Sequence, residues 1–283
     1  MDFITPVGWA EALAAKADRP DSVPIAGGTD LMVELNFDRR RPAALLDLSR
    51  IGELREWSVD GDLIRLGAGV SYTTIMNELG DVLPGLAAAS RTVGSPLIRN
   101  RGTVGGNLGS ASPAGDAHPP LLACGAQVEL ASATGTRTVP VSDFFTGPKR
   151  SVLAPDELIA AVLLPKAGGP QQFAKVGPRN AMVIAVSSFA LALWPATRTV
   201  GTGMGSVGPT PLRALEAEQF AAGELDWDGR SDLDPRTAQR FGELVAQAAT
   251  PIDDVRSTAD YRRHTLAVTA RRCLTWAWRE LCD

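Results

Sequence analysis

The sequence predicts an α+β protein built from two units. Three observations carry that reading. Short β-type runs alternate with short helical patterns through the first half. The second half has a different rhythm, two apolar strand runs followed by long helical patterns. Between them KAGGPQQ, residues 166–172, changes the composition after Pro165 and reads as a linker, which puts a boundary near residue 168.

Taken in order, EALAAK at 11–16 predicts a helix, VPIAGGTDL a short strand running into a glycine turn, and ALLDLS at 44–49 another strand. LIRLGAGV at 63–70 predicts a strand ending at glycines. Ser71 is then placed to cap a helix with Ile75 and Leu79 on one face. QVELAS and RTVPV flank TGT at 134–136, a hairpin signal, and LIAAVLLP at 158–165 is an apolar run stopped by proline. AMVIAVSSFALALW at 181–194 contains two serines and is shorter than the roughly 20 residues of a spanning helix, so it predicts a buried strand and no membrane insertion. Leu266, Ala270, Leu274, Ala277 and Leu281 share one face of a terminal helix, with Trp276 and Trp278 as core or interface filler.

Composition excludes several function classes. With 45% hydrophobic and 21% charged positions the chain reads as a globular protein with a sizeable core. A formal charge of -4 opposes a broad grip on nucleic acid or anionic membrane. Cys124, Cys273 and Cys282 are far apart, form no CxxC pair and have no histidine spaced to complete a metal site. Cys124, in PPLLACGA, reads as a small buried hydrophobe. The odd cysteine count and an N-terminal stretch without an apolar leader suit the cytoplasm. Neither His118 nor His264 has a nucleophile and an acid nearby in sequence, so hydrolase chemistry gains no support, and His118 is expected at a helix start or on the surface.

Glycine pairs by themselves decide little in a chain with 28 glycines. Setting decides more. IAGGTDL and TVGGN each put the pair beside a threonine, in an expected turn next to a β-type run. Successive N–H groups in such turns can converge on an anion, glycine permits the close approach, and the hydroxyls of Thr29 and Thr103 can add donors. Asp116 suits sugar or polyol hydroxyls, because a carboxylate accepts hydrogen bonds and would repel phosphate. A pyrophosphate beside a polyol describes a dinucleotide, although the same glycines also suit two tight turns shaped only for folding. GMGSVG at 203–208 matches GxGxxG but lacks a surrounding βαβ unit, and it reads as a glycine-bearing strand or turn.

The chain resembles the FAD-binding medium subunits of molybdenum hydroxylases, the family of xanthine dehydrogenase and carbon monoxide dehydrogenase. IAGGTDL, GSPLIRNRGTVGGNLGSASPAGDAHPPLLACGA, FFTG, PDELIAAVLLP, KVGPRNAM and VRSTADYRRH occur in the family's order and spacing. The resemblance implies an FAD-binding unit of the PCMH/VAO type over 1–168, in two subdomains of about 1–54 and 55–168, followed by an antiparallel sheet with helices over 169–283. It implies that the stretch of Ile25, Ala26, Gly27, Gly28, Thr29, Asp30 and Leu31 and that of Thr103, Val104, Gly105, Gly106 and Asn107 wrap the FAD pyrophosphate. Val93 would line the cofactor, Asp116 would take ribityl or ribose hydroxyls, and Leu158 or Ile159 would pack near the flavin. Lys175 would stand close to the isoalloxazine, where a cation favours the anionic reduced ring. Pro148 and Lys149 stand where family members often carry an aromatic and a basic residue after the FFxG turn, the proline being the departure. The implied partners are a small subunit with two [2Fe-2S] clusters and a large subunit with the molybdenum cofactor, as a dimer of heterotrimers. This chain would be the electron outlet to NAD, a quinone, a carrier protein or oxygen; a stand-alone FAD-dependent reductase or oxidase of the same fold is the alternative.

Overall fold

The computed structural model describes residues 1–283. Strand β1 (Asp2–Ile4), helix α1 (Trp9–Asp18), strand β2 (Val23–Ile25), helix α2 (Leu31–Asn36) and strand β3 (Ala44–Asp47) form a small parallel sheet in the order β1-β3-β2. α1 makes the crossover from β1 to β2. The glycine stretch therefore leaves the carboxyl end of a parallel strand and enters a helix, the position where open α/β sheets bind ligands.

A second sheet is antiparallel and contains β4 (Trp57–Asp60), β5 (Leu63–Gly67), β6 (Gln127–Ser132), β7 (Gly135–Pro140) and β10 (Leu158–Pro165), in the order β4-β5-β10-β6-β7. β10 is central and almost wholly buried, which explains why LIAAVLLP is apolar without alternation. Its pairing with β6 shifts between Ile159 and Ala161, a β-bulge that breaks the two-sided alternation at its start. Helices α3 (Tyr72–Glu78), α4 (Pro84–Arg91), α5 (Pro96–Arg101), α6 (Val104–Ser110), α7 (His118–Ala123) and α8 (Val141–Phe144) fill the connections. Ser71 caps α3 by accepting from the Thr74 amide at 3.1 Å, and the hairpin of β8 (Phe145–Gly147) and β9 (Arg150–Ser151) turns at Pro148 and Lys149.

The third sheet is an antiparallel meander of β11 (Gln171–Val176), β12 (Ser187–Trp194) and β13 (Thr199–Gly205). One face carries Phe189, Leu191 and Leu193 and packs in a core with Leu266, Ala270, Leu274, Ala277 and Trp278 of α11 (Ala259–Cys282), together with α9 (Leu215–Glu224) and α10 (Pro235–Gln247). The opposite face carries Ala190 and Ala192 against Ala123, the last residue of α7, and Cys124 just after it. The approach there is very close: a Cβ on Gly203 would lie 2.6 Å from the Pro119 carbonyl carbon and closer still to its oxygen, and one on Gly201 would meet Ala123 in the same way. Gly201 and Gly203 of GTGMG thus serve sheet-to-helix packing, and the GxGxxG match joins Gly203 to Gly205 and to Gly208, which packs against Leu212.

Several sequence expectations change. TVGGN does not form a hairpin bend; Thr103 caps α6, and the glycines open that helix. The strand expected from residue 181 begins at Ser187, because Met182, Val183 and Ile184 serve as cavity wall instead. Gln171 and Gln172 of the expected linker already belong to β11, giving the meander three strands instead of two. His118 does start a helix, but it is fully buried. Of the two tryptophans, Trp278 is in the core while Trp276 is exposed.

Candidate functional site

A cavity of ≈ 1190 Å³ opens where these pieces meet, larger than the roughly 1,000 Å³ that bounds ordinary small-molecule pockets. Every residue from Ile25 to Leu31 lines it, as do Val93, Thr103, Gly105, Gly106, Asn107, Asp116, Leu158 and Ile159. Val104 does not: its side chain is fully buried in the core behind the wall. Lys175 is also absent from the wall and stands behind Asp116, its Nζ 2.6 Å from Asp116 Oδ2 and 3.2 Å from the Thr92 carbonyl oxygen. The bulge in β10 explains how two successive residues, Leu158 and Ile159, both reach one cavity.

The two glycine stretches are not equivalent. In the first, the N–H groups of Ala26, Gly27, Gly28, Thr29, Asp30 and Leu31 donate to no acceptor in the chain, and Gly28 has the left-handed φ of 73° that turns the loop. Six consecutive donors on a cavity wall form an anion cradle. In the second, the Gly105 amide donates to the Ala68 carbonyl (3.1 Å), that of Gly106 to Thr103 Oγ1 (2.9 Å) and that of Asn107 to the Thr103 carbonyl (3.0 Å). Those three donors are spent inside the fold. The second stretch contributes closely packed wall, and Thr103 keeps its hydroxyl proton to donate.

Side-chain charge gives an anion little help. Lys149 and Arg40 both pair with Glu34, and Arg256 and Arg262 both pair with Asp254. Each cation in the wall is thus engaged by a carboxylate, two cations to each, and the row of donors with no partner at all is the backbone amides. Four polar atoms of wall residues are buried without a hydrogen-bond partner in the chain: Asp116 Oδ1, the Tyr72 hydroxyl, the Ser206 hydroxyl and Arg262 Nε. Burial pushes the Asp116 carboxyl above its ordinary pKa while Lys175 opposes that shift, and burial followed by the Asp116 charge raises the Tyr72 phenol. An orphaned carboxylate oxygen, an orphaned hydroxyl and a row of free amides suit a ligand with hydroxyl groups and a diphosphate.

His118 supports this wall from beneath. Its ring lies 4.6 Å from that of Phe145, with Nε2 3.2 Å from the Asn107 carbonyl oxygen, and a Cβ on Gly115 would strike the imidazole. Burial lowers its pKa to about 4. The unfolded chain takes up this proton below about 6.5 and the folded chain only below about 4, so stability is lost as pH falls through that interval, by up to ~1.4 kcal/mol per pH unit and ~3 kcal/mol in all. Urea unfolding at pH 7 and pH 5 is expected to show the loss, and His118→Gln, which keeps a neutral donor, is expected to remove this part of it.

A family model described as "FAD binding domain in molybdopterin dehydrogenase" matches residues 1–167, and one described as "CO dehydrogenase flavoprotein C-terminal domain" matches residues 172–277. The chain belongs to the FAD-binding subunits of the molybdopterin dehydrogenases. It is 31% identical to the nicotine 6-hydroxylase medium subunit of Paenarthrobacter nicotinovorans, over 97% of this chain and 96% of that one. It superposes on carbon monoxide dehydrogenase from Hydrogenophaga pseudoflava with a TM-score of 0.90 at 27% identity, covering 99% of this chain and 98% of the other. For quinoline 2-oxidoreductase from Pseudomonas putida 86 the TM-score is 0.91 at 25% identity, covering 100% and 98%. The α+β fold is that of the family, and this medium subunit is part of an oxidoreductase.

The flavoprotein's sequence left three parts of the site unread. Tyr72 follows the Ser71 cap, and its place as one of only two tyrosines is the only local sign of a special role. Glu34 and Lys149 meet across the rim from residues 115 positions apart, and Arg262 reaches the wall from the last helix; nothing local announces either.

Proposed function

We propose that this chain binds FAD in the cavity, receives electrons from a small subunit carrying two [2Fe-2S] clusters, and passes them to an external acceptor. The six unpaired amides from Ala26 to Leu31 carry the reading, since each side-chain cation of the wall is already engaged by a carboxylate while these amides have no partner in the chain. The first stretch would hold the diphosphate. Thr103, Gly105, Gly106 and Asn107 would pack against it, with Val104 anchoring the segment in the core. Asp116 would accept from a ribityl or ribose hydroxyl, and Val93, Leu158 and Ile159 would cover apolar cofactor surface. Bound FAD supplies redox chemistry that accepts single electrons and releases a pair. The chain's own residues bind and orient it and exclude water; no acid, base or nucleophile is asked of them.

Relatives named for nicotine, xanthine and carbon monoxide share this architecture. That variety supports placing the substrate on a large molybdenum-cofactor subunit, in a dimer of heterotrimers in the cytoplasm. No helix is long and apolar enough to cross a membrane. The division at 168 before 169–283 is supported by two separate cores, one running from Ala12 to Leu164 and one from Phe189 to Trp278, and subdomains of about 1–54 and 55–168 follow the change from the parallel to the antiparallel sheet, over a core that the two share.

The test has two stages. Titrating FAD into the purified chain is expected to quench flavin fluorescence to a 1:1 endpoint. With the partner subunits present, substrate is expected to bleach the bound flavin, while the chain alone with substrate shows no bleaching. A chain that leaves FAD free in both settings refutes the reading, and bleaching without partners would favour a self-contained oxidoreductase.

A further inference from the structure

The resemblance places Lys175 at the flavin as a free cation, but the geometry gives it a different task. Asp116 stands in the turn before α7, in the first half of the chain, and Lys175 is on β11 in the second. Their side chains are only 10% and 7% exposed and meet at 2.6 Å. Lys175 Nζ also donates to the Thr92 carbonyl at the end of α4. Nearby on β11, Gln171 accepts from the Gly85 amide of α4 at 3.1 Å. The strand is thus docked on the first half through two polar side chains. Lys175 does not line the cavity and Asp116 does. Lys175 engages Oδ2 alone, leaving Oδ1 buried and without a partner.

We propose that Lys175 is a positioning residue: it reaches across from the antiparallel meander to fix the Asp116 carboxylate, so that Oδ1 is held as the acceptor for a cofactor hydroxyl. The inference rests on the FAD reading above and goes beyond it, since it makes cofactor affinity depend on how β11 docks. A buried carboxylate without its cation is either protonated or displaced toward water. In both cases the charged acceptor facing the cavity is lost, although Lys175 itself touches no part of the cavity.

The experiment is a double-substitution cycle on the full-length chain, stripped of flavin and titrated with FAD while flavin fluorescence is followed. Asp116→Asn is expected to weaken binding roughly tenfold, one charge-assisted hydrogen bond being reduced to a neutral one. Lys175→Met is expected to weaken it roughly 10- to 100-fold, and Lys175→Arg to restore most of the loss. The double variant Asp116→Asn with Lys175→Met is expected to bind like Asp116→Asn alone, because a neutral amide needs no counter-charge. The reduction potential of bound flavin separates this role from a direct one. In the Asp116→Asn background, Lys175→Met is expected to leave it unchanged, whereas a cation at the ring would shift it in either background. Wild-type affinity in Lys175→Met, losses that simply add, or a potential shift that persists in the Asp116→Asn background would each overturn the proposal. A wild-type chain that takes up no FAD would sink the FAD assignment and this inference with it; ordinary wild-type binding with additive losses sinks the inference alone.

Discussion

Gly27→Ala is expected to lower FAD affinity by a factor on the order of 100 to 1,000. A Cβ at this position would lie 2.5 Å from the Arg101 carbonyl carbon, closer still to its oxygen, and 3.0 Å from the Gly102 nitrogen. All three are backbone atoms of the segment leading into α6, so no side chain can swing aside. The loop must move away from Arg101, and the amides of Ala26 to Leu31 move with it. Losing two amide bonds to a charged diphosphate, at about 1.5–2 kcal/mol each, accounts for the size of the effect. Thermal stability is expected to fall by only about 1–3 kcal/mol, the ordinary cost of overpacking. Gly28→Ala is the informative contrast. There the obstacle is a φ of 73°, worth about 1–2 kcal/mol, and the new methyl would meet only side chains at ordinary contact distance, Met32 at 3.4 Å and Ile25 at 3.5 Å. Fluorescence titration of both variants beside their melting curves separates loop displacement from strain. Unchanged FAD affinity in Gly27→Ala would remove this loop from the diphosphate site.

The same comparison shows what a sequence can disclose about such a site. IAGGTDL was readable because its function and its local conformation coincide: a strand ends, glycines turn, and the unpaired amides belong to those same residues. TVGGN was readable as a site segment but not as a conformation. Its glycines are needed for contact with Ala68, whose Cβ would lie 2.5 Å from one added at Gly105, and that contact joins residues far apart in the chain. GMGSVG misleads for a related reason, since Gly203 answers to the backbone of α7, Gly205 to the Ser188 and Pro119 side chains and Gly208 to Leu212. Asp116 was picked out by its isolation in a run without other charges; the lysine that holds it comes from a strand 59 positions later. Local turn chemistry is written in neighbouring residues, whereas tertiary partners enter only when the fold brings them together.

Arg262→Met is expected to be the most destabilising single change in the second half of the chain, by about 3–5 kcal/mol. Arg262 is only 3% exposed, and its guanidinium gathers three separate segments. Nη1 donates to the carbonyls of Val186 and Ser206, both at 2.8 Å, and Nη2 donates to Asp254 Oδ1 at 2.7 Å. Those acceptors stand just before β12, just after β13 and in the loop leading to α11, so one side chain fastens the end of the sheet where β12 begins and β13 finishes to the terminal helix. Methionine fills much of the volume but strands two carbonyl oxygens and takes one partner from Asp254, which keeps the Arg256 guanidinium and the amides of Arg256 and Ser257. Lysine keeps the charge on a single nitrogen without the guanidinium's flat spread of donors, and Arg262→Lys is expected to recover less than half of the loss. Ser206, Asp254 and Arg262 itself lie in the cavity wall, so FAD affinity should fall too, but by less than for Gly27→Ala, because the six donor amides stand in the opposite half. Urea unfolding followed by tryptophan fluorescence is the direct measure, since Trp227 and Trp278 pack edge-to-face at 5.5 Å in the affected core. If the midpoint for Arg262→Met stays at the wild-type value, the three segments are held by apolar packing alone and the guanidinium is dispensable to the fold.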